Sequence, residues 1–246
     1  AASGTFAPKE KPFKVVDAFA FEGKAEFRDE TVISVRLFGQ PLDRKALEAV
    51  LDFEGELDRQ RSDAPYVTLD IEKSGRWSGS SYQLPDANCG FCSDGQAQAK
   101  AKLRIENGAL RGTIKVAAAD YLDGKGPAVD LSLDVPIAQV TGASPLPADG
   151  GEPGKLLTAC LQATKKRDRE TVVKACLASG NPSPALAMVL EMADEGFWSF
   201  GDYAFPGLLL DGCKITGGRV KGEWAELLVE GKQGSDKRKG SIYLRR

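Results

Sequence analysis

Ile33, Val35 and Leu37 alternate with Ser34 and Arg36, and Val67, Leu69 and Ile71 alternate with Thr68 and Asp70. A period of two turns one set of side chains to a buried face and the other to water. Each run therefore predicts a half-buried β-strand. Ala97, Ala99, Ala101, Leu103 and Ile105 keep the same alternation, and the run meets Asn107-Gly108. That dipeptide tolerates the positive φ of a tight hairpin turn, so Leu110, Ile114 and Val116 are expected on the returning strand. Val129, Leu131, Leu133 and Val135 predict a further strand that stops at Pro136. Residues 1–140 thus read as a mainly antiparallel β domain, a sandwich or partly closed barrel.

One stretch breaks the period. From Asp43, a suitable N-cap, RKALEAVLDFEGEL sets Ala46, Leu47, Val50 and Leu51 on one helical face, which predicts one short helix packed over the strands. Thr141–Gly154, TGASPLPADGGEPG, is rich in Pro and Gly without apolar periodicity and reads as a linker. Beyond it the period becomes 3.6. Leu156, Leu157, Cys160 and Leu161 form one stripe, and Val172, Val173, Cys176 and Leu177 repeat it after the polar turn KKRDRE. Ser183-Pro184 announces a third helix through Leu186, Val189 and Leu190. Strands return near Leu208–Ile215, Val220–Val229 and Ser241–Leu244. The expected architecture is two domains: β over 1–140, and α+β over 155–246, with three helices followed by a curved antiparallel sheet.

Composition narrows the chemistry. The 33 basic and 35 acidic residues nearly cancel, to a formal charge of −2, which argues against a nucleic-acid partner. The dense basic run Lys237-Arg238-Lys239 reads as a solvated turn. No apolar run approaches the roughly 20 residues that span a bilayer. Histidine is absent (0 of 246 residues), which removes Ser-His and Cys-His nucleophile pairs and every His-containing metal site. Catalysis would fall to carboxylates, Lys, Tyr, Arg or thiols. Neither a cofactor nor a metal is expected. The start Ala1-Ala2-Ser3-Gly4 has the small residues that follow a cleaved signal peptide. Recombinant trimming leaves the same ends. Taken with the cysteines, it points to export, in a bacterium to the periplasm, with the original start tethered to lipid.

The 5 cysteines carry the sharpest question. Cys160 and Cys176 flank the turn near Asp168 at equal distance, so they come level in an antiparallel helical hairpin and are expected to bridge in an oxidising compartment. Two small buried thiols are the plainer alternative. Cys89-Gly-Phe-Cys92 has the spacing of a redox dithiol, yet its flanks, Pro85 to Asn88 and Ser93 to Gly95, are turn residues. A thioredoxin-like centre needs a helix start there. A zinc site needs further ligands that are not present. The expectation is a local disulfide that staples a hairpin loop. SGRWSGSSYQL offers Trp77 and Tyr82 either as an exposed glycan- or peptide-binding strand or as a hairpin with Trp77 turned inward. DYLDGKG, Asp120–Gly126, lacks the acidic positions of a full calcium loop and reads as a turn.

LLTACLQATKKRDRETVVKAC, followed by GRVKGEWAELLVEGKQG and KGSIYLRR, resembles the cone fold of nuclear-transport-factor-two-like proteins, small exported bacterial members in particular. The resemblance covers residues 155–246 only. It implies a sheet curled around helices, leaving a cavity for a ligand or for dimer contacts, and it transfers no catalytic residue. In that frame Phe197, Trp198, Phe200, Tyr203 and Phe205 fall near the mouth of the cone, with Asp202 as the carboxylate among them. They line an apolar pocket or seal the core. The expected function is a non-catalytic exported binding or envelope-associated protein. Its partner would be a protein, a peptide or a small apolar ligand, with a homodimer through the C-terminal sheet. The rivals are an enzyme using carboxylates in the C-terminal cavity and a thiol-disulfide protein using Cys89 and Cys92.

Overall fold

The computed structural model describes residues 1–8, 12–24, 30–61, 64–84, 87–92, 95–121, 126–172, 174, 211–233 and 235–245. The chain forms two compact units, Ala1–Glu48 with Phe53–Gln139, and Ala49–Asp52 with Val140–Arg246.

The first unit is built from strands β1 (Ala2–Ala7), β2 (Phe13–Val15), β3 (Asp17–Lys24), β4 (Thr31–Phe38), β5 (Tyr66–Ile71), β6 (Trp77–Leu84), β7 (Ala87–Cys92), β8 (Lys102–Glu106), β9 (Ala109–Val116) and β10 (Ala128–Ala138). β10 joins two layers. Most of it pairs antiparallel with β1 and β9, while Ile137 and Ala138 pair parallel with Ala20 and Phe21 of β3. From β3 the second layer runs β3-β4-β5-β6-β7. The pairing is therefore mixed, and β10 continues past Pro136 rather than stopping there. Among the described residues the strand path ends at β2 and at β7 without closing, so the unit is sandwich-like and not a barrel.

The alternating residues fill the space between the layers. Val35, Leu37, Val67, Leu69 and Ile71 come from one layer, and Leu110, Ile114, Val129 and Leu131 from the other. The Asn107-Gly108 turn takes φ of 51° and 69°, and Glu106 pairs with Ala109. Both central residues thus sit in the left-handed region that a two-residue hairpin with right-handed strand twist requires.

The helical stretch splits in two, α1 (Arg44–Ala49) and α2 (Phe53–Arg61), instead of one helix. Asp43 does cap the first, accepting the Ala46 N–H at 3.1 Å. Between them Val50 and Leu51 are buried, and Ala49–Asp52 groups with the second unit. Leu42, Leu47 and Leu57 pack with Phe19, Phe21 and Phe38 on the outer face of the second layer. Phe53 meets Phe19 edge-on at 5.2 Å. A further departure lies after Cys92: Gly95–Gln98 form a short helix, α3, where the Ala/Lys alternation predicts strand.

In the second unit the linker is partly ordered structure. Ser144–Leu146 form β11, and α4 (Gly151–Lys165) begins inside the Pro/Gly stretch. With β12 (Asp211–Lys221), β13 (Trp224–Gln233) and β14 (Asp236–Arg245) they make a four-stranded sheet in the order β11-β12-β13-β14. Leu157 of α4 packs on Leu227 and Val229, with Leu161, Ile215, Ile242 and Leu244 around them. Gly150 enters the helix at φ 77°, where an added Cβ would lie 2.6 Å from Leu227. After α4, Arg167 takes φ 51° and Asp168 caps the next helical turn, accepting from the Thr171 N–H and hydroxyl. Those bonds hold the Asp168 carboxyl below its ordinary value. Val173 and residues 175–210, which include the predicted third helix, lie outside the described residues.

Candidate binding groove in the C-terminal unit

Gly222 and Glu223 form a two-residue turn between β12 and β13, with Gly222 at φ 56° and Lys221 paired to Trp224. The turn puts Trp224 at the first residue of β13, where the sheet ends. Trp224 also pairs with Arg245 at the end of β14, whose guanidinium lies 5.6 Å from the ring centroid. Beside this corner is a groove of about 480 Å³. Val220, Ala225 and Leu244 form its floor, Pro153 and Leu156 of α4 its wall, and Trp224 its end. Leu156 leaves 40% of its surface open, although it belongs to the apolar stripe of α4. The charged groups stand on the rim and are paired: Glu152 with Lys155 at 2.6 Å, and Glu223 with Arg245 at 3.4 Å. An apolar floor bordered by the half-buried Trp224, with a thin charged rim, suits a small apolar ligand. The volume lies in the range of ordinary ligand pockets, about 300–1,000 Å³.

On the opposite face of the same sheet, Glu226 is 6% exposed. It accepts from the Arg219 guanidinium, from the Ser241 hydroxyl at 2.8 Å and from the Tyr243 hydroxyl at 3.3 Å. The carboxylate thus ties β12, β13 and β14 together, and both its oxygens are engaged. Burial, and then the nearby charges of Glu226 and Asp52, push the Tyr243 phenol well above its ordinary value. A phenol raised by folding favours the folded state below its unfolded pKa of about 10, and that contribution fades as pH rises further. Tyr243→Phe is accordingly expected to weaken the pH dependence of unfolding between about pH 10 and 12, read by denaturant titration at successive pH values. An unchanged dependence would count against the hold of the Glu226 site on this partly exposed phenol.

The residues singled out from the sequence fall elsewhere. Trp77 is 2% exposed in the core of the first unit, and its indole N–H donates to the Gly79 carbonyl at 2.8 Å. The inward arrangement holds, and the ring presents nothing to a ligand. Tyr82 is half-buried with its ring centroid 5.2 Å from that of Phe6, which makes it core packing rather than a binding face. Phe197, Trp198, Phe200, Asp202, Tyr203 and Phe205 lie outside the described residues, as does Cys176. Cys89 and Cys92 sit within β7, paired to β6, and not in a hairpin loop. α3 begins at Gly95, so neither cysteine opens a helix. Cys213 is half-buried, and burial pushes its thiol up against a smaller lowering by Lys165. Asp120 caps Ala117 and pairs with Lys100, which leaves it engaged in the turn.

Trp224 was not singled out as a site residue from the sequence, since a single Trp in GEWAELL carries no motif. The usable signal was the Gly-Glu pair before it, which closes a turn and leaves the next side chain at a sheet corner. Among the described residues no three Cys, Asp or Glu side chains are grouped to hold a metal ion. No described helix is long and apolar enough to cross a membrane. No family model, no curated protein and no solved structure matches this chain.

Proposed function

We propose that the protein is a non-catalytic, exported binding protein whose C-terminal unit takes a small apolar ligand in the groove at Trp224. The observation that carries this reading is the groove itself: Trp224, Leu156, Val220 and Leu244 stay accessible in one concavity whose charged rim is already ion-paired. Apolar surface left open in a concave site is stabilised by an occupant that removes it from water. The enzyme reading needs carboxylates free to act on a ligand. Glu152 and Glu223 at the groove are held by Lys155 and Arg245, and Glu226 is engaged on the other face of the sheet, so the binding reading is preferred. A cone-like fold for residues 155–246 belongs to the same proposal, supported by α4 lying on one face of the β12–β13–β14 sheet.

Titration with an apolar fluorescent probe such as N-phenylnaphthylamine tests the groove. The expected result is saturable binding that Trp224→Ala weakens about tenfold or more, by loss of an aromatic contact. Equal binding by parent and variant would reject the site.

Export is proposed together with two bridges, Cys89–Cys92 and Cys160–Cys176. Support comes from Cys160, buried on α4 ahead of the Asp168 cap, and from the place of Cys89 and Cys92 on one strand, β7. Cys92 pairs with Ser80 and Cys89 with Tyr82, so three residue steps on β7 match two on β6. Alkylation before reduction is expected to modify one thiol, and after reduction all 5 cysteines. Five modified before reduction would remove both bridges and the case for an oxidising compartment.

A further inference from the structure

The Lys237-Arg238-Lys239 run lies in β14, not in a turn, and it belongs to a larger arrangement at the end of the sheet opposite Trp224. A second groove there, about 460 Å³, is lined by Lys214, Lys232, Lys237, Arg238 and Lys239 around Glu230. Five cations stand there against Glu230, with Asp211 opposite Lys232 and Asp236 beside Lys237 as the other carboxylates of this end, so a local excess of two positive charges remains in a chain whose formal net charge is −2. Lys232 stands between Lys237 and Asp211, and Glu230 between Lys214 and Lys239.

We propose that this end of the sheet docks on an anionic phospholipid surface. Alternation along β14, the edge strand, sends Lys237 and Lys239 to one face and Arg238 to the other, so the charge surrounds the hairpin end. All five cations are exposed. Four are lysines, compact charges on flexible stems, and Lys239 holds Glu230 only loosely, at 3.9 Å. A stereospecific site for one phosphate would hold a rigid fork or converging backbone N–H groups. Exposed cations on both faces of an edge instead match a plane of many headgroups, which attracts basic residues without fixed geometry. The proposal rests on the envelope-associated side of the functional reading and does not involve the Trp224 groove.

The test is co-sedimentation of the full chain with vesicles of phosphatidylcholine alone, or with about 30% phosphatidylglycerol, at about 50 and 500 mM salt. Binding is expected only to the anionic vesicles at low salt. Lys232→Gln with Lys237→Gln should reduce it about tenfold or more, with the circular dichroism of the folded chain retained. Equal sedimentation with neutral vesicles, none with anionic vesicles at low salt, or an unaffected double variant would overturn the proposal. Tight binding of soluble tripolyphosphate without vesicle binding would also overturn it and assign the groove to a free polyanion. If vesicles fail while the alkylation count still gives two bridges, this surface is wrong and export stands.

Discussion

Gly112→Ala is expected to destabilise the first unit by about 3–5 kcal/mol, among the largest effects a single methyl group can have. Gly112 lies in β9 at φ 136°, and a Cβ built there would sit 2.0 Å from the Lys102 carbonyl oxygen and 3.0 Å from the Leu103 Cα. Both contacts are backbone of the paired strand β8, which cannot yield as a side chain would. The substitution would part β8 from β9, and Leu110 and Ile114 of β9 belong to the core between the layers. Gly108→Ala is the control. Its φ is also positive, at 69°, yet nothing lies within 4 Å of the added atom, so about 1 kcal/mol is expected. Urea unfolding of both variants, followed by near-ultraviolet dichroism of the buried Trp77, separates the two causes. Equal losses would mean that backbone conformation, not strand contact, sets the cost.

Leu227→Ala is the corresponding change in the second unit. Leu227 is 0% exposed and sits between Leu157 of α4 and the sheet, so truncation removes the contact that holds helix to sheet. A loss of about 3–5 kcal/mol is expected, from the transfer energy of the lost atoms and the cavity they leave. Leu228, its neighbour, leaves 44% of its surface exposed on the other face. Leu228→Ala should stay within about 0.5 kcal/mol. A comparable loss from both would contradict the assignment of faces on β13.

Strands whose apolar residues are large were legible. Val129, Leu131, Leu133 and Val135 are buried and their neighbours exposed, and the Asn-Gly turn lies where its φ preference puts it. The α4 stripe was legible for the same reason, because Leu157 and Cys160 return every turn. Ala97, Ala99 and Ala101 misled: alanine satisfies an alternating pattern without demanding a strand, and Ala97 falls in α3 while Ala99 and Ala101 lie in the turn before β8. The helical run from Asp43 hid a break, because Val50 and Leu51 fit a helical stripe but are buried between the two short helices. Lys237–Lys239 carry no alternation at all, so nothing local marks them as strand; pairing with β13 decides it.

The candidate site was less legible than the fold. Trp77 and Trp224 both stand in Gly-rich surroundings, and sequence alone favoured the first. Their roles reverse because Trp77 begins β6 with its register partner Ile71 on the core face, whereas Trp224 begins a strand where the sheet ends. A residue's place at a sheet corner is a tertiary property, which periodicity does not encode.

Fluorotryptophan labelling with ¹⁹F NMR reads which tryptophan a ligand meets, since the chain has 3 tryptophans and each gives one resonance. Assignment by Trp224→Phe and Trp77→Phe precedes titration with the apolar probe. A ligand seated in the groove should shift the Trp224 resonance with saturation while the buried Trp77 resonance stays in place. A Trp224 resonance that does not move while Trp77 or Trp198 responds would contradict the account and place the ligand elsewhere in the chain.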